Sequence, residues 1–285
     1  MCYSFLPMTT LFYTRFKSTR LHIFLLVGIL LFIVTCSNQK REVGHVFRMP
    51  ISNEPPTLDW SLATDSVSFD ILTNIMEGLT QYNSNMEPVP AIAKRWDISK
   101  NGNVITYYLR DDVFWTDGKP VTAHDFEYSW KRLLDPATAA QYAYFLFDIE
   151  NAQEFNSGEV SDPSKVGVTA KSKFVLEVRL KKPVVYFPSI TTFMVTFPQR
   201  RDIIEKFGDH WTDPENIVTN GPFKLSAWEH EYKLTLTANE NFYEGRPFLD
   251  TILAYVVREK TTALTLYETG ELEMVELPPV AIPHF

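Results

Sequence analysis

Alternating apolar and polar residues predict that much of the chain forms short strands. Residues 174–180, FVLEVRL, show the alternation of a half-buried strand. The segments 96–98 and Val104–Leu109 flank Asn101-Gly102, a pair that favours the positive φ values of a tight turn, and therefore predict a β-hairpin. Further strands are predicted at Val46–Ile51, 224–228, 232–236 and 249–257.

Three- and four-residue spacings of apolar side chains predict fewer helices than strands. One helix has a single apolar stripe, formed by Phe69, Leu72, Ile75 and Met76. Asp65 or Ser66 is suited to cap its start, and Gly78 is suited to end it. Further helices are predicted over 201–207, ending at Gly208, and over 261–272, ending near Gly270. We expect the stripe to belong to a protein core.

A histidine and two carboxylates lie close together in the segment 115–136, WTDGKPVTAHDFEYSWKRLLDP. Thr122 can serve as an N-cap with Asp125 at the third helical position, which approximates a capping box. His124 and Glu127 would need further ligands to hold zinc, and the sequence contains no HExxH or paired CxxC motif. We therefore predict a helix start here, with an apolar face formed by Phe126, Trp130 and Leu133 or Leu134.

Other catalytic signatures are also missing from the sequence. It contains no GxSxG motif, no GxGxxG motif and no glycine-rich phosphate loop, and its six histidines are scattered. These observations weigh against an enzyme. A hydrolase that uses Asp125 and Glu127 in an aromatic cleft stays as an alternative hypothesis.

Composition and charge narrow the classes of partner. A chain of 285 residues with 45% hydrophobic residues is long enough for about two domains with sizeable cores. The 35 acidic and 27 basic residues give a net charge of −8, and the basic residues form only short runs. Nucleic acid is therefore not expected as a partner.

The first 36 residues have the composition of an export signal. Residues 1–36 contain three basic and no acidic residues, and 21–35 form an apolar stretch that is short for a membrane-spanning helix. Cys36 closes this stretch as in a bacterial lipoprotein, although Thr35 and Ile33 depart from the usual processing pattern. We predict that Cys36 is lipidated and that the protein is exported and anchored at the membrane. An uncleaved anchor is the alternative.

Several sequence blocks together resemble one family, the extracytoplasmic solute-binding proteins of peptide ABC importers, and in particular the oligopeptide-binding proteins. The blocks are EPPTLD at 54–59, LRDDVFWTDGKPVTAHDFEYSWKRLLDP at 109–136, EKFGDHWTDPENIVTNGPFKLSAW at 205–228, NENFYEG at 239–245 and YETGELEM at 267–274. Their order and spacing make the resemblance specific.

The resemblance implies an α/β fold, that of a periplasmic-binding-protein-like receptor with two lobes. The chain would supply lobe I with its extra subdomain and only a stump of the second lobe. The implied division is a lipoprotein signal peptide over 1–36, a discontinuous lobe I over 37–76 and 199–272, a family-specific subdomain over 77–198, and the start of the second lobe over 273–285.

The resemblance also implies where a peptide would bind. Thr64, Asp65 and Ser66 match the segment that pairs with the peptide backbone as an added strand. Tyr142 matches an aromatic residue that contacts the peptide, although an ordinary core position is the alternative. The segment formed by Val275, Glu276 and Leu277 matches the strand that crosses into the second lobe.

The implied function is that of a receptor and not an enzyme, with no cofactor and no metal. Its partners would be oligopeptides, the permease subunits of an ABC importer, and the membrane through a lipid anchor, with the protein in the periplasm or on the outer face of the cell membrane. Family members continue for about as long again beyond residue 285. The resemblance therefore implies that half of the binding cleft is missing and that one edge of the lobe I sheet is unpaired. The open alternatives are a second polypeptide that supplies the missing lobe, a decayed remnant, or a truncated surface interaction protein without peptide transport.

Overall fold

Two four-stranded sheets and a set of short helices form the part of the chain that the structure describes. The structure is a computed structural model and describes residues 44–277 and residue 282. The helices are α1 (Ser66–Ile75), α2 (Ala123–Leu134), α3 (Ala152–Asn156), α4 (Phe187–Ile190), α5 (Arg201–Phe207) and α6 (Lys260–Glu268). The strands are β1 (Val46–Ile51), β2 (Thr80–Tyr82), β3 (Pro88–Pro90), β4 (Ala93–Ile98), β5 (Val104–Leu109), β6 (Val168–Ser172), β7 (Val175–Arg179), β8 (Phe223–Glu229), β9 (Lys233–Ala238) and β10 (Thr251–Val256). The predicted signal peptide and Cys36 lie outside these residues.

The first sheet has the strand order β1-β10-β9-β8. Strand β1 runs parallel to β10, and the other pairs are antiparallel. One face of the sheet is buried, through Ile51, Leu234, Leu236, Ile252 and Ala254. The strands predicted at Val46–Ile51, 224–228, 232–236 and 249–257 are confirmed to within two residues at every end.

The second sheet has the order β4-β5-β7-β6 and is antiparallel throughout. The predicted hairpin is confirmed, and Gly102 has the positive φ of 75° that the turn requires. Strand β6 and the small β2–β3 hairpin were not predicted. Both strands of that hairpin have only three residues, and β3 contains two prolines, so neither shows a readable alternation.

Helix α1 begins as predicted, with Asp65 as its N-cap. The Asp65 carboxylate accepts hydrogen bonds from the Ser68 N–H at 2.9 Å and from the Ser68 hydroxyl at 2.7 Å. The prediction that Gly78 ends the helix is wrong, because the helix stops at Ile75 and Met76 is already extended.

A tertiary contact explains this early stop. The side chain of Asn220 accepts from the Glu77 N–H at 2.9 Å and donates to the Glu77 carbonyl at 3.3 Å. The Gly221 N–H donates to the Ile75 carbonyl at 2.9 Å. A Cβ on Gly221 would lie 2.5 Å from the Ile75 carbonyl carbon, so only glycine allows this close approach.

Helix α2 confirms the predicted capping arrangement at its start. The Asp125 carboxylate accepts from the Thr122 N–H at 2.8 Å and from the Thr122 hydroxyl at 2.9 Å. The apolar face of the helix, formed by Phe126, Trp130, Leu133 and Leu134, is fully buried. The Trp130 indole also donates to the Thr196 carbonyl at 2.7 Å, which fixes the helix against the following chain.

The last two predicted helices have different outcomes. Helix α5 spans Arg201–Phe207 and ends at Gly208, as predicted. Helix α6 stops at Glu268 instead of continuing to 272, and Gly270 follows in the left-handed conformation with a φ of 77°. Within residues 44–277 no helix is both long enough and apolar enough to cross a membrane.

The edge of β1 that faces away from β10 is covered by Glu273. The Arg48 N–H donates to the Glu273 carboxylate at 2.5 Å, and the Glu273 N–H donates to the Arg48 carbonyl at 2.9 Å. Pro50, further along the same strand, has no N–H to offer. This edge is therefore protected against pairing with another strand.

Candidate functional site

The candidate site lies at the carboxyl ends of the parallel strands β1 and β10, where helix α1 begins. Ligands of open α/β sheets bind preferentially at such carboxyl ends. A cavity of about 260 Å³, named here the Ser66 cavity, opens at this position. Its lining includes Met49, Ser66, Val67, Asp70, Lys260 and Glu276.

Two carboxylates of the loop that leads from β1 to α1, those of Glu54 and Asp59, hold the loop in place. Glu54 accepts from the Trp228 indole at 2.7 Å and from the Glu231 N–H at 3.1 Å, and the ring nitrogen Nδ1 of His230 lies 2.6 Å from it. Burial raises the pKa of Glu54, but these hydrogen bonds outweigh burial and lower the pKa. Asp59 is buried and pairs with Arg132 at 2.6 Å. These contacts fix the loop at two points.

The structure brings most of the predicted site residues together. Ser66 and Glu276 line the Ser66 cavity, and the Tyr142 hydroxyl donates to the Thr64 carbonyl at 3.3 Å. Val275 and Leu277 flank Glu276 and are half-buried. No strand forms at these last three positions, so the expected crossing strand is absent from the described residues.

The backbone of the Thr64 to Ser66 segment is suited to pairing with an extended ligand. Asp65 has extended backbone angles, with φ −115° and ψ 156°. The N–H groups of Thr64, Asp65 and Ser66 donate to no other described residue. The Asp65 side chain, in contrast, accepts hydrogen bonds from Ser68 and therefore caps the start of α1.

An aromatic cluster adjoins this segment. The Tyr142 ring packs 5.9 Å from Phe193, 5.7 Å from Phe145 and 6.0 Å from Tyr144, measured between ring centroids. Tyr142 itself is half-buried, whereas Tyr144 is 54% exposed. Tyr144 was not predicted, although it lies in the same YAYFL stretch of the sequence.

Of the charged residues that line the Ser66 cavity, three have ion-pair partners and one, Asp70, has none among the described residues. Lys260 Nζ lies 2.5 Å from Glu276 Oε1, and Arg258 pairs with Glu231. The Asp70 carboxylate makes no ion pair and no hydrogen bond with the other described residues. Partial burial and the neighbouring Asp65 carboxylate raise the pKa of Asp70. Asp70 was not predicted either, because a carboxylate on an amphipathic helix reads as an ordinary solvent-facing residue.

The His124, Asp125 and Glu127 cluster lies elsewhere and makes structural contacts. Burial raises the pKa of Asp125, and its carboxylate accepts a hydrogen bond from the Thr122 N–H. The Glu127 carboxylate accepts from Lys131 at 2.6 Å and from the Ala170 N–H of β6 at 2.9 Å. Among the residues described, no three His, Cys, Asp or Glu side chains converge as a metal site would require. These contacts support the interpretation of the cluster as a helix start.

Comparison with known proteins identifies the family. Residues 87–285 match the family described as bacterial extracellular solute-binding proteins, family 5 Middle. The oligopeptide-binding protein OppA of Bacillus subtilis is 37% identical over 235 residues, which cover 82% of this chain and 43% of that protein. The probable deoxycholate-binding periplasmic protein YgiS of Escherichia coli is 32% identical, over 84% of this chain and 45% of that protein.

A solved structure agrees with these relatives. The Listeria monocytogenes OppA bound to peptide matches with a TM-score of 0.78 and 31% identity, over 83% of this chain and 47% of that one. The fold is thus that of part of a periplasmic-binding-protein-like α/β receptor. The chain belongs to family 5 of the bacterial extracellular solute-binding proteins, a family of binding proteins and not of enzymes. It spans less than half the length of these relatives.

Proposed function

We propose that the chain is a component of a peptide-binding receptor that serves an ABC importer and binds the peptide backbone by strand pairing. The observation that carries this proposal is the segment Thr64 to Ser66, which is extended at Asp65 and has N–H groups without described partners. Main-chain pairing would suit a receptor for many peptides, because the backbone is the same for every sequence.

The surroundings of the segment support the proposal. The Tyr142 hydroxyl donates to the Thr64 carbonyl, and Ser66 lines the Ser66 cavity. The Bacillus subtilis and Listeria monocytogenes relatives are named for binding oligopeptides. The name of the Escherichia coli relative refers to deoxycholate, so family membership alone does not fix the ligand.

The proposed division into lobe I and a subdomain follows the two sheets. The strands of the first sheet come from Val46–Ile51 and 223–256, inside the segments 37–76 and 199–272. The second sheet lies wholly within 77–198. The bond from the Gly221 N–H to the Ile75 carbonyl would then join the two segments of lobe I beside the boundary.

Two further parts of the proposal rest on the sequence. Lipidation of Cys36 would hold the receptor at the outer face of the membrane, near the permease subunits. The second face of the cleft would come from protein beyond the described residues, either on the same polypeptide or on a second one. A closing receptor buries its ligand between two faces, so binding by this chain alone should be weaker than binding by the completed receptor.

Titration with a pool of tri- to pentapeptides tests the proposal most directly. The purified chain is titrated in a calorimeter, and mass spectrometry then identifies the peptides that stay bound. Retention of peptides with varied sequences is the expected result. No retention, either alone or with the protein that completes the cleft, would overturn the proposal and favour the surface interaction protein.

A pair of variants at Ser66 tests the backbone pairing itself. Ser66 is the first residue of α1, where proline fits well, and the extended Asp65 before it is compatible with proline. Ser66→Pro should therefore fold, yet it removes the N–H that would donate a hydrogen bond to a peptide carbonyl. We expect it to weaken peptide binding about three- to tenfold, as for one hydrogen bond. Ser66→Ala removes only the hydroxyl and keeps the N–H, so it is the matched control and should lose less affinity than Ser66→Pro.

A further inference from the structure

The Ser66 cavity has the volume and the apolar lining of a subsite for one side chain. Its volume is about 260 Å³, which is enough for one large amino-acid side chain. Val67 and Ala263 on its wall are buried, and Met49 and Met274 add two flexible thioether side chains. Methionine adapts its shape to different apolar partners, so this lining suits an unbranched apolar stem.

The rim of the cavity favours a positive charge. Its two cations are already engaged, Lys260 with Glu276 and Arg258 with Glu231. Asp70 is the one charged lining residue without a partner among the residues that the structure describes. A ligand cation facing Asp70 would gain an ion pair, and a ligand carboxylate there would be repelled.

We infer that the Ser66 cavity is a subsite that selects a peptide residue with a long apolar stem and a basic tip, lysine or arginine. The inference rests on the proposed function, because it needs a peptide that pairs along Thr64 to Ser66. Ser66 belongs to both the pairing segment and the cavity wall, so a side chain leaving the paired peptide would reach the cavity directly. The stem would cover Met49 and Met274, and the tip would meet Asp70.

The raised pKa of Asp70 agrees with this assignment. Burial and the neighbouring Asp65 disfavour its charged form when no cation is present. A bound ammonium or guanidinium group would relieve that cost. Because Asp70 remains largely exposed at the rim, the gain should be modest, about two- to fivefold in affinity.

Alanine pentapeptides with one substituted position provide the test. Five of them carry lysine at successive positions, since the register of the peptide is not fixed in advance, and matched sets carry norleucine or glutamate there. We expect lysine at one position to bind about two- to fivefold more tightly than norleucine, and glutamate to bind more weakly. Binding is measured by calorimetry on the whole purified chain and on the variant Asp70→Asn.

The matched control is Asp209→Asn, which removes an exposed carboxylate outside the cavity. The lysine preference should disappear in Asp70→Asn and persist in Asp209→Asn. If pentaalanine binds but lysine gives no advantage, or the advantage survives in Asp70→Asn, the inference is wrong and the proposed function stands. If no pentapeptide binds to any form of the protein, the proposed function fails together with the subsite.

Discussion

The carboxylate of Glu77 and the hydroxyl of Tyr243 are buried near each other without a good hydrogen bond between them. Oε2 of Glu77 and the Tyr243 oxygen each lack a partner with hydrogen-bonding geometry. Burial raises the pKa of Glu77 to about 7, with the Glu244 carboxylate adding to the rise, while Tyr243 and Arg110 oppose it. The pKa of Tyr243 is also raised, first by burial and then by Glu77. We therefore expect the stability of the fold to depend on the protonation of this pair.

We expect the chain to lose stability as the pH rises from about 5 to about 8. The folded state holds the Glu77 proton more tightly than the unfolded state, so folding is favoured at low pH and the advantage is lost as the pH passes through about 7. The loss attributable to Glu77 should be about 1–3 kcal/mol. Urea unfolding of the parent and of Glu77→Gln over this range checks it. Equal pH slopes in the two proteins would contradict the account.

Gly221→Ala should be among the most destabilising single changes in the chain. The added methyl group would meet the backbone of Ile75 and Met76 at 2.5–2.6 Å, and this backbone cannot move without breaking the Asn220 contacts. We expect a loss of at least about 2 kcal/mol. Gly158→Ala is the comparison, because its methyl group meets nothing within 4 Å and only its positive φ of 82° is strained. It should cost about 1 kcal/mol, and similar thermal shifts in both variants would argue against a steric cause.

Removal of the hydroxyl at the start of α2 should cost about 1 kcal/mol. In Thr122→Ala the Asp125 carboxylate loses one of its two bonds to residue 122 but keeps the backbone bond at 2.8 Å. The measurement is the melting temperature, with Thr261→Ala on the exposed first turn of α6 as the control. An unchanged melting temperature in Thr122→Ala would count against the capping arrangement.

Cys36→Ser should abolish membrane retention of the processed protein. The sulfur of Cys36 is the atom that would carry the lipid of a lipoprotein, and the serine hydroxyl cannot replace it. Fractionation of cells and metabolic labelling with a fatty acid would follow the change. Continued labelling of the serine variant would disprove lipidation at this position.

Local signals account for the parts of the fold that the sequence predicted. The Thr122 and Asp125 pair, the Asn101-Gly102 turn and the stop at Gly208 each depend on residues a few positions apart. The early end of α1 depends instead on Asn220, which lies 143 positions from its partner Glu77. No window along the chain contains both residues, so the helix was predicted too long.

The candidate site also contains some residues that the sequence predicted and others that only the folded chain brings together. Thr64, Asp65, Ser66 and Tyr142 were identified through whole sequence blocks and not through their chemistry. Asp70, Lys260 and the methionines of the Ser66 cavity come from four separate segments that converge only in the folded chain. Their partnership follows from the packing of α1 against the ends of β1 and β10, which a linear pattern does not reveal.

The Asn220 contact with Glu77 also sets an order of events in folding. It closes a loop of 143 residues, and the entropy of that closure has to be overcome before the contact returns any stability. Pairing within the second sheet closes shorter loops, because all four of its strands lie between Ala93 and Arg179. Pulse-labelled hydrogen exchange should therefore find the β5 amides protected before those of β10. The first sheet, whose strand ends line the Ser66 cavity, would be the last part of the molecule to acquire its shape.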